Sequence, residues 1–97
     1  MSAYIVVNSK ITDLDGLDTY RAAVRATFDG HLSTMLVANN EAVTLEGEPP
    51  GSRVVIIRFS NRAAAMAWYE SPAYRAIIGL RQASTEGSML LIDGLDG

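Results

Sequence analysis

Arg81 is the residue least in keeping with its neighbours. Tyr74, Ile77, Ile78 and Arg81 fall at i, i+3, i+4 and i+7, so a guanidinium closes an otherwise apolar helical stripe. Such a cation lays its stem along the apolar surface with its head in water, pairs with a carboxylate such as Glu70, or holds an anionic ligand. Arg58 raises the same question, because Val54, Ile56 and Arg58 alternate along a strand and share one face. Placed together, the two arginines could grip a carboxylate through paired hydrogen bonds. Nothing in the sequence itself brings them together.

Three aromatic residues lie close by. Trp68 follows Ala64 and Ala65, whose small side chains let a large ring lie against a sheet, and large aromatics mainly supply burial. Tyr69 is one position round the helix and directs its hydroxyl into a cleft or into solvent, while Tyr74 belongs to the Arg81 stripe. His31, in the loop after Gly30, is the one imidazole in the chain and hence the candidate for moving a proton near neutral pH. General-base catalysis also needs a positioned partner, which the sequence does not identify.

Much other chemistry is argued against. The chain has no cysteine and one histidine, so disulfides, thiol chemistry and the usual zinc sets are not expected. No G-x-S-x-G, P-loop or dinucleotide fingerprint follows a strand, and no cofactor is expected. The run Asp13-Leu-Asp15-Gly-Leu-Asp18 departs from a calcium loop where glycine and glutamate are required; three carboxylates at a helix N-terminus favour its dipole instead. The net charge is −3 and no segment concentrates the cations, which argues against nucleic acid as a partner. The longest apolar runs fall short of the roughly 20 residues of a membrane span, and the N-terminus lacks a basic region followed by an apolar core. No membrane partner is expected, and a cytoplasmic location follows by default.

The elements that must position these residues can be read from periodicity and punctuation. Ala3–Asn8 reads as a first strand. Leu17, Tyr20, Val24 and Phe28 then recur at helical spacing, with Arg21 and Arg25 on the other side and Gly30 as a stop. Thr34–Ala38 and Ala42–Glu46 flank Asn39-Asn40, which suits a two-residue hairpin turn, and Arg53–Phe59 is the clearest strand. Ser60 or Asn61 can cap a helix over Ala63–Glu70. Ser71-Pro72 then breaks the helical region and starts another helix, from Pro72 to about Gln82. Glu86-Gly87 ends the connection, Met89–Asp93 forms the last strand, and the tail from Gly94 to Gly97 is expected to fray.

The order is strand, helix, strand with a hairpin extension, strand, helix pair, strand. This is the βαββαβ pattern of an α+β, ferredoxin-like fold, an antiparallel sheet with its helices on one face, and residues 1–97 are expected to form one such domain. Helices cover only one face of that sheet, so the strands of a monomer should alternate apolar with polar. These run continuously instead, in Tyr4–Val7, Val54–Ile57 and Met89–Ile92. The open face, on the order of 300 Å², is as large as the biggest apolar patch a monomer usually exposes. Two such faces removed from water would contribute ~15 kcal/mol gross, comparable with the upper end of association costs. A homodimer through the open sheet face is therefore expected.

The stretch Ala67-Trp68-Tyr69-Glu70-Ser71-Pro72-Ala73-Tyr74, continuing to Leu80-Arg81-Gln82-Ala83-Ser84, resembles the signature of a family of small bacterial proteins known as domain of unknown function 1330. The opening Ala3-Tyr4 strand, the turn Val43–Gly47 and the strand Arg53–Ile57 agree with it. What the resemblance implies is a ferredoxin-like dimeric α/β barrel, with two sheets packed face to face. It carries no established activity. One departure is visible: members carry glycines and an arginine around the second strand, where this chain has Leu32-Ser33-Thr34 and Ala38-Asn39-Asn40, so Ala38 removes a cation.

Two functional readings stand at this point. In the first, the protein is a dimer that binds a small acidic or aromatic molecule between sheet and helices. It would be similar to the cofactor-independent monooxygenases and isomerases of the wider dimeric α/β-barrel superfamily. Trp68, Tyr69 and Tyr74 would line the cleft, Arg58 or Arg81 would hold the acid, and His31 would move a proton. In the second, the protein is a non-catalytic interaction protein, and dimer formation is its only activity.

Overall fold

The computed structural model describes residues 1–95. Its elements are β1 (Ala3–Ile11), α1 (Leu14–Val24) with a 3-10 turn Arg25–Phe28, β2 (Ser33–Asn39), β3 (Arg53–Phe59), α2 (Arg62–Tyr69), α3 (Pro72–Arg75), α4 (Ile78–Ser84) and β4 (Thr85–Asp93). The strands form one antiparallel sheet in the order β2-β3-β1-β4, which is the ferredoxin-like arrangement. β1 and β3 occupy its centre, paired from Ala3 opposite Phe59 to Ser9 opposite Arg53.

Alternation along the central strands separates the two faces. Ala3, Ile5, Val7 and Ser9 of β1, with Arg53, Val55, Ile57 and Phe59 of β3, are buried under the helices. Leu17 and Tyr20 of α1, Ala65 and Trp68 of α2, Tyr74 of α3 and Ile78 of α4 pack against them. On the other face Tyr4, Val6, Val54 and Ile56 are only half-buried, and Leu90 and Ile92 of β4 are exposed. The result is two layers, 32 × 31 × 16 Å overall.

Capping residues act where the sequence places them. Asp13 caps α1 by accepting from the Gly16 amide at 3.1 Å, Asn61 caps α2 through the Ala64 amide at 2.7 Å, and Ser71 caps α3 ahead of Pro72. Gly30 ends the first helical region with a φ of 79°.

Four expectations need correction. Ala42–Glu46 is not a strand, and β2 pairs directly with β3. The Asn39 side chain accepts from the Glu41 amide at 2.7 Å, a local turn that takes the place of a left-handed hairpin. Among the described residues no non-glycine has a positive φ. The helix expected from Pro72 to Gln82 is broken at Ile77 and resumes to Ser84, because Ile77-Ile78-Gly79 joins two β-branched residues to a glycine, all poor helix formers. β1 runs three residues beyond Asn8, and β4 begins four residues before Met89. Gly87 is therefore inside β4 rather than in a connection. A Cβ there would collide with the Asn8 carbonyl oxygen, so this glycine marks a close backbone approach. At the C-terminus the Gly94 amide donates to the Ser2 carbonyl at 2.8 Å; the fraying expected further on, at residues 96–97, lies outside the described residues.

Candidate functional site

Between the sheet and α1 lies a cavity of about 430 Å³. Its position follows from how α1 meets α4. Gly16 faces Ser84 so closely that a Cβ would strike the Ser84 hydroxyl, and the two helices approach there. One turn on along α1 stands Tyr20, and one turn back along α4 stands Arg81. Both line the cavity, with Ser9, Val55, Arg53, Phe28 and Trp68 among the other walls.

The walls are mostly apolar but carry a marked charge pattern. Arg21, Arg25, Arg53 and Arg81 all line the cavity, half of the eight lysines and arginines of an acidic chain, and the lining holds no carboxylate and no histidine among the described residues. The ion pairs among the described residues are Arg21–Asp18, both well exposed, and Arg62–Asp93 at the sheet margin. Arg21 and Arg25, expected on the far side of α1, thus stand at the edge of the cavity.

Arg53 is the most confined of these cations. It is only 8% exposed, and Nη1 donates to the Asn40 side-chain oxygen at 2.6 Å. Burial, and then the Arg21 charge, pull its pKa below the ordinary arginine value, while the Tyr20 phenol opposes the shift. A buried cation without a counter-ion is unfavourable, so this position favours an incoming anion. Opposite Arg53 in the sheet is Ser9, whose Oγ is buried and has no hydrogen-bond partner.

Tyr20, also in the cavity wall, belongs to a cluster of hydroxyls. Arg81 Nε donates to the Tyr74 hydroxyl at 3.2 Å, and the Tyr74 and Tyr20 hydroxyls are 3.0 Å apart. Burial, and then its Tyr74 neighbour, push the Tyr20 phenol well above the ordinary tyrosine range. It is protonated at neutral pH and acts as a hydrogen-bond donor rather than a base.

The six residues singled out from sequence separate. Trp68 and Arg81 line the cavity. Trp68 is fully buried, its Nε1 donates to Thr27 Oγ1 at 3.0 Å, and its ring stacks on Phe28 with centroids 4.8 Å apart. Tyr74 is fully buried behind Tyr20. Tyr69 faces a separate hollow of about 170 Å³ beside β4, with the Arg75 guanidinium 4.3 Å above its ring. His31 sits in the loop after the 3-10 turn, its amide donating to the Phe28 carbonyl at 2.8 Å, and its side chain is not part of the cavity wall. Arg58 is opposite Tyr4 and Thr34 on the open face of the sheet, so it and Arg81 lie on opposite sides and cannot share a ligand.

Tyr20, Arg53 and Ser9 were not singled out, yet two of them carried a signal. Arg53 begins the alternation Arg53, Val55, Ile57, Phe59, so a cation heads the core-facing row of β3 much as Arg81 closes the stripe of α4. Tyr20 is the one residue with a polar tip in the stripe Leu17, Tyr20, Val24, Phe28. Ser9 had no comparable signal, because its burial depends on β1 running past Asn8.

Residues 2–95 match the profile described as Domain of unknown function (DUF1330). The chain belongs to that family. No curated protein matches the DUF1330 chain. Among solved structures it is similar to a protein of unknown function from Rhodopseudomonas palustris, at 15% identity, 99% of this chain, 84% of that one and a TM-score of 0.80. It is similar also to SnoaB, a cofactor-independent oxygenase from Streptomyces nogalater, at 14% identity, 99% and 95% coverage and a TM-score of 0.68. A third is HapK from Hahella chejuensis, at 19% identity, 98% and 94% coverage and a TM-score of 0.63. Likeness at these identities establishes the shared ferredoxin-like fold of this DUF1330 protein.

Proposed function

We propose that this protein is a small-molecule-binding homodimer whose ligand is an acidic, largely aromatic molecule held in the cavity between sheet and helices. The observation that carries this reading is the cavity itself: about 430 Å³, apolar over most of its wall, with four arginines and no carboxylate among its lining residues. Pockets of this size with few polar groups are typical of small-ligand sites, and cations such as Arg25, Arg53 and Arg81, which have no ion-pair partner among the described residues, select an anion. The apolar lining, which includes Phe28, Val24, Met35 and Met89, suits an apolar body.

The dimer is supported by the open face of the sheet. Leu90 and Ile92 are 56% and 48% exposed there beside half-buried Val6 and Ile56, a continuous apolar surface of the kind that marks an interface. Val43 and Leu45 in the loop before β3, 81% and 90% exposed, add apolar surface to bury.

The catalytic form of this reading is cofactor-independent oxygenation or isomerisation, for which the fold shared with the oxygenase SnoaB offers analogy. Such reactions would pass through an anionic carbon or enolate, which dioxygen oxidises in an oxygenation and a proton from solvent quenches at a different atom in an isomerisation, and the arginines would stabilise its charge. With no carboxylate or histidine in the lining, the substrate ionises to solvent or arrives ionised. Native mass spectrometry of freshly purified protein tests the proposal. The expected mass is two chains plus a constant small increment that disappears on denaturation. One bare chain at micromolar concentration would overturn the dimer. Failure of every aromatic acid in a thermal-shift panel to raise stability by mass action would overturn the ligand.

A further inference from the structure

Two groups at one end of the cavity have unused hydrogen-bonding capacity. Ser9 Oγ is buried without a partner, and Arg53, on the neighbouring strand, gives one donor to Asn40 while its other guanidinium protons have no partner among the described residues. Buried polar groups are normally satisfied, and Ser9 Oγ is the one buried side-chain nitrogen or oxygen among the described residues left without a partner; beside a guanidinium with donors to spare, it points to an absent acceptor.

Tyr20 supplies a third donor, and its direction can be worked out. A guanidinium only donates, so Tyr74 accepts from Arg81 at 3.2 Å and keeps one proton of its own. The Tyr20 hydroxyl, 3.0 Å away, is its one acceptor among the described residues. If Tyr20 donated to Tyr74 instead, the fully buried Tyr74 proton would be stranded, and an unmade buried hydrogen bond is costly. The sequence of donors therefore runs Arg81 to Tyr74 to Tyr20, leaving the Tyr20 proton free for the cavity, whose wall Tyr20 forms.

Resting on the ligand-binding reading above, we infer that Ser9, Tyr20 and Arg53 form the subsite for the carboxylate of a flat apolar acid. Arg81 is a positioning residue that acts through Tyr74 to aim the Tyr20 proton. Carboxylates accept several bonds at once and pair with the planar guanidinium fork, which suits three donors that two strands and a helix bring to the wall of one cavity.

The probes are 2-naphthoate and its neutral counterpart 2-naphthalenemethanol, titrated by calorimetry into the full chain. Wild type is expected to prefer the acid by about tenfold or more. Ser9→Ala should lower affinity for the acid by about tenfold and leave the alcohol unchanged. Because Ser9 Oγ has no partner in the free protein, Ser9→Ala should not lower the melting temperature. Tyr20→Phe should reduce the preference similarly. Binding of both probes with no preference, or a Ser9→Ala variant that keeps the full preference, overturns the subsite and leaves the cavity reading standing. Binding of neither at millimolar concentration overturns both. The donor direction is tested without ligand by NMR of ¹³Cζ-labelled tyrosine. The Tyr74 hydroxyl proton should exchange slowly and that of Tyr20 fast; the reverse order overturns the assignment of Tyr20 as the donor.

Discussion

The two faces of the sheet are made by the same strands and differ in what an arginine does on each. On the open face Arg58 follows Val54 and Ile56 and is exposed, so water satisfies its charge wherever the face is free. On the covered face Arg53 precedes Val55 and Ile57 and is 8% exposed, and among the described residues its guanidinium has one partner, the neutral Asn40 side chain. A surface cation needs no partner, whereas a buried one needs a counter-ion. The sign of a residue's role is thus set by one step of strand alternation: the open face is suited to a second protein surface, the covered face to a small anion.

The largest effect is expected on the open face. Ile56→Asp would place a carboxylate in the proposed dimer contact, twice by symmetry, and should weaken association by at least roughly 3–5 kcal/mol while leaving the fold intact. Sedimentation equilibrium should then show a monomer with unchanged circular dichroism; a dimer as tight as wild type would remove the open face from the interface. On the covered face the matching change is Trp68→Ala, which deletes a fully buried ring stacked on Phe28 and the bond to Thr27. Its expected effect is about 3–5 kcal/mol of folding stability. A loss below about 1 kcal/mol in urea denaturation would mean that the helix layer does not depend on this ring.

How far the sequence showed this division depends on the residue. The continuous apolar runs in β1, β3 and β4 revealed that both faces are apolar, and Asn61 and Ser71-Pro72 marked the helix starts because caps are local chemistry. The Asn39-Asn40 turn was misread because a side-chain bond to Glu41 competes with a hairpin, and sequence does not say which wins. Gly87 read as a breaker because its reason, the Asn8 carbonyl, is contributed by a residue far away in the chain. For the site, the stripe analysis found Arg81 but not its partner Tyr20, since the bond between them passes through Tyr74 and joins elements more than fifty residues apart. Arg58 and Arg53 were distinguishable by alternation alone, once one asks which row also holds Phe59.

A smaller effect probes the electrostatics of the covered face. Burial raises the Tyr20 pKa, so above the ordinary tyrosine value near 10 the unfolded chain has lost this proton while the folded chain retains it. Protons bound are then fewer in the unfolded state, and stability falls as pH rises, by about 1.4 kcal/mol per unit from this group, having been fully present below that value. Tyr20→Phe should flatten the alkaline limb by that slope. An unaltered limb would show that Tyr20 ionises freely and that its hydroxyl is not enclosed as described.

The smallest expected effect belongs to His31, and its smallness is informative. What the structure uses at this position is the backbone, through the amide bond to Phe28 that closes the turn after the 3-10 helix, and alanine keeps that bond. The imidazole lies outside the cavity wall, whereas Ser9, Tyr20 and Arg53 form it. His31→Ala should therefore change stability by no more than about 0.5 kcal/mol and leave the affinity for 2-naphthoate unaltered. A loss of affinity comparable with that of Ser9→Ala would bring the loop into the site and require it to fold over the cavity when ligand is bound. Retention of full affinity, set against the loss at Ser9, would locate the chemistry on the covered sheet face and its two helices, where alternation and helix packing, rather than a loop, fix the donors.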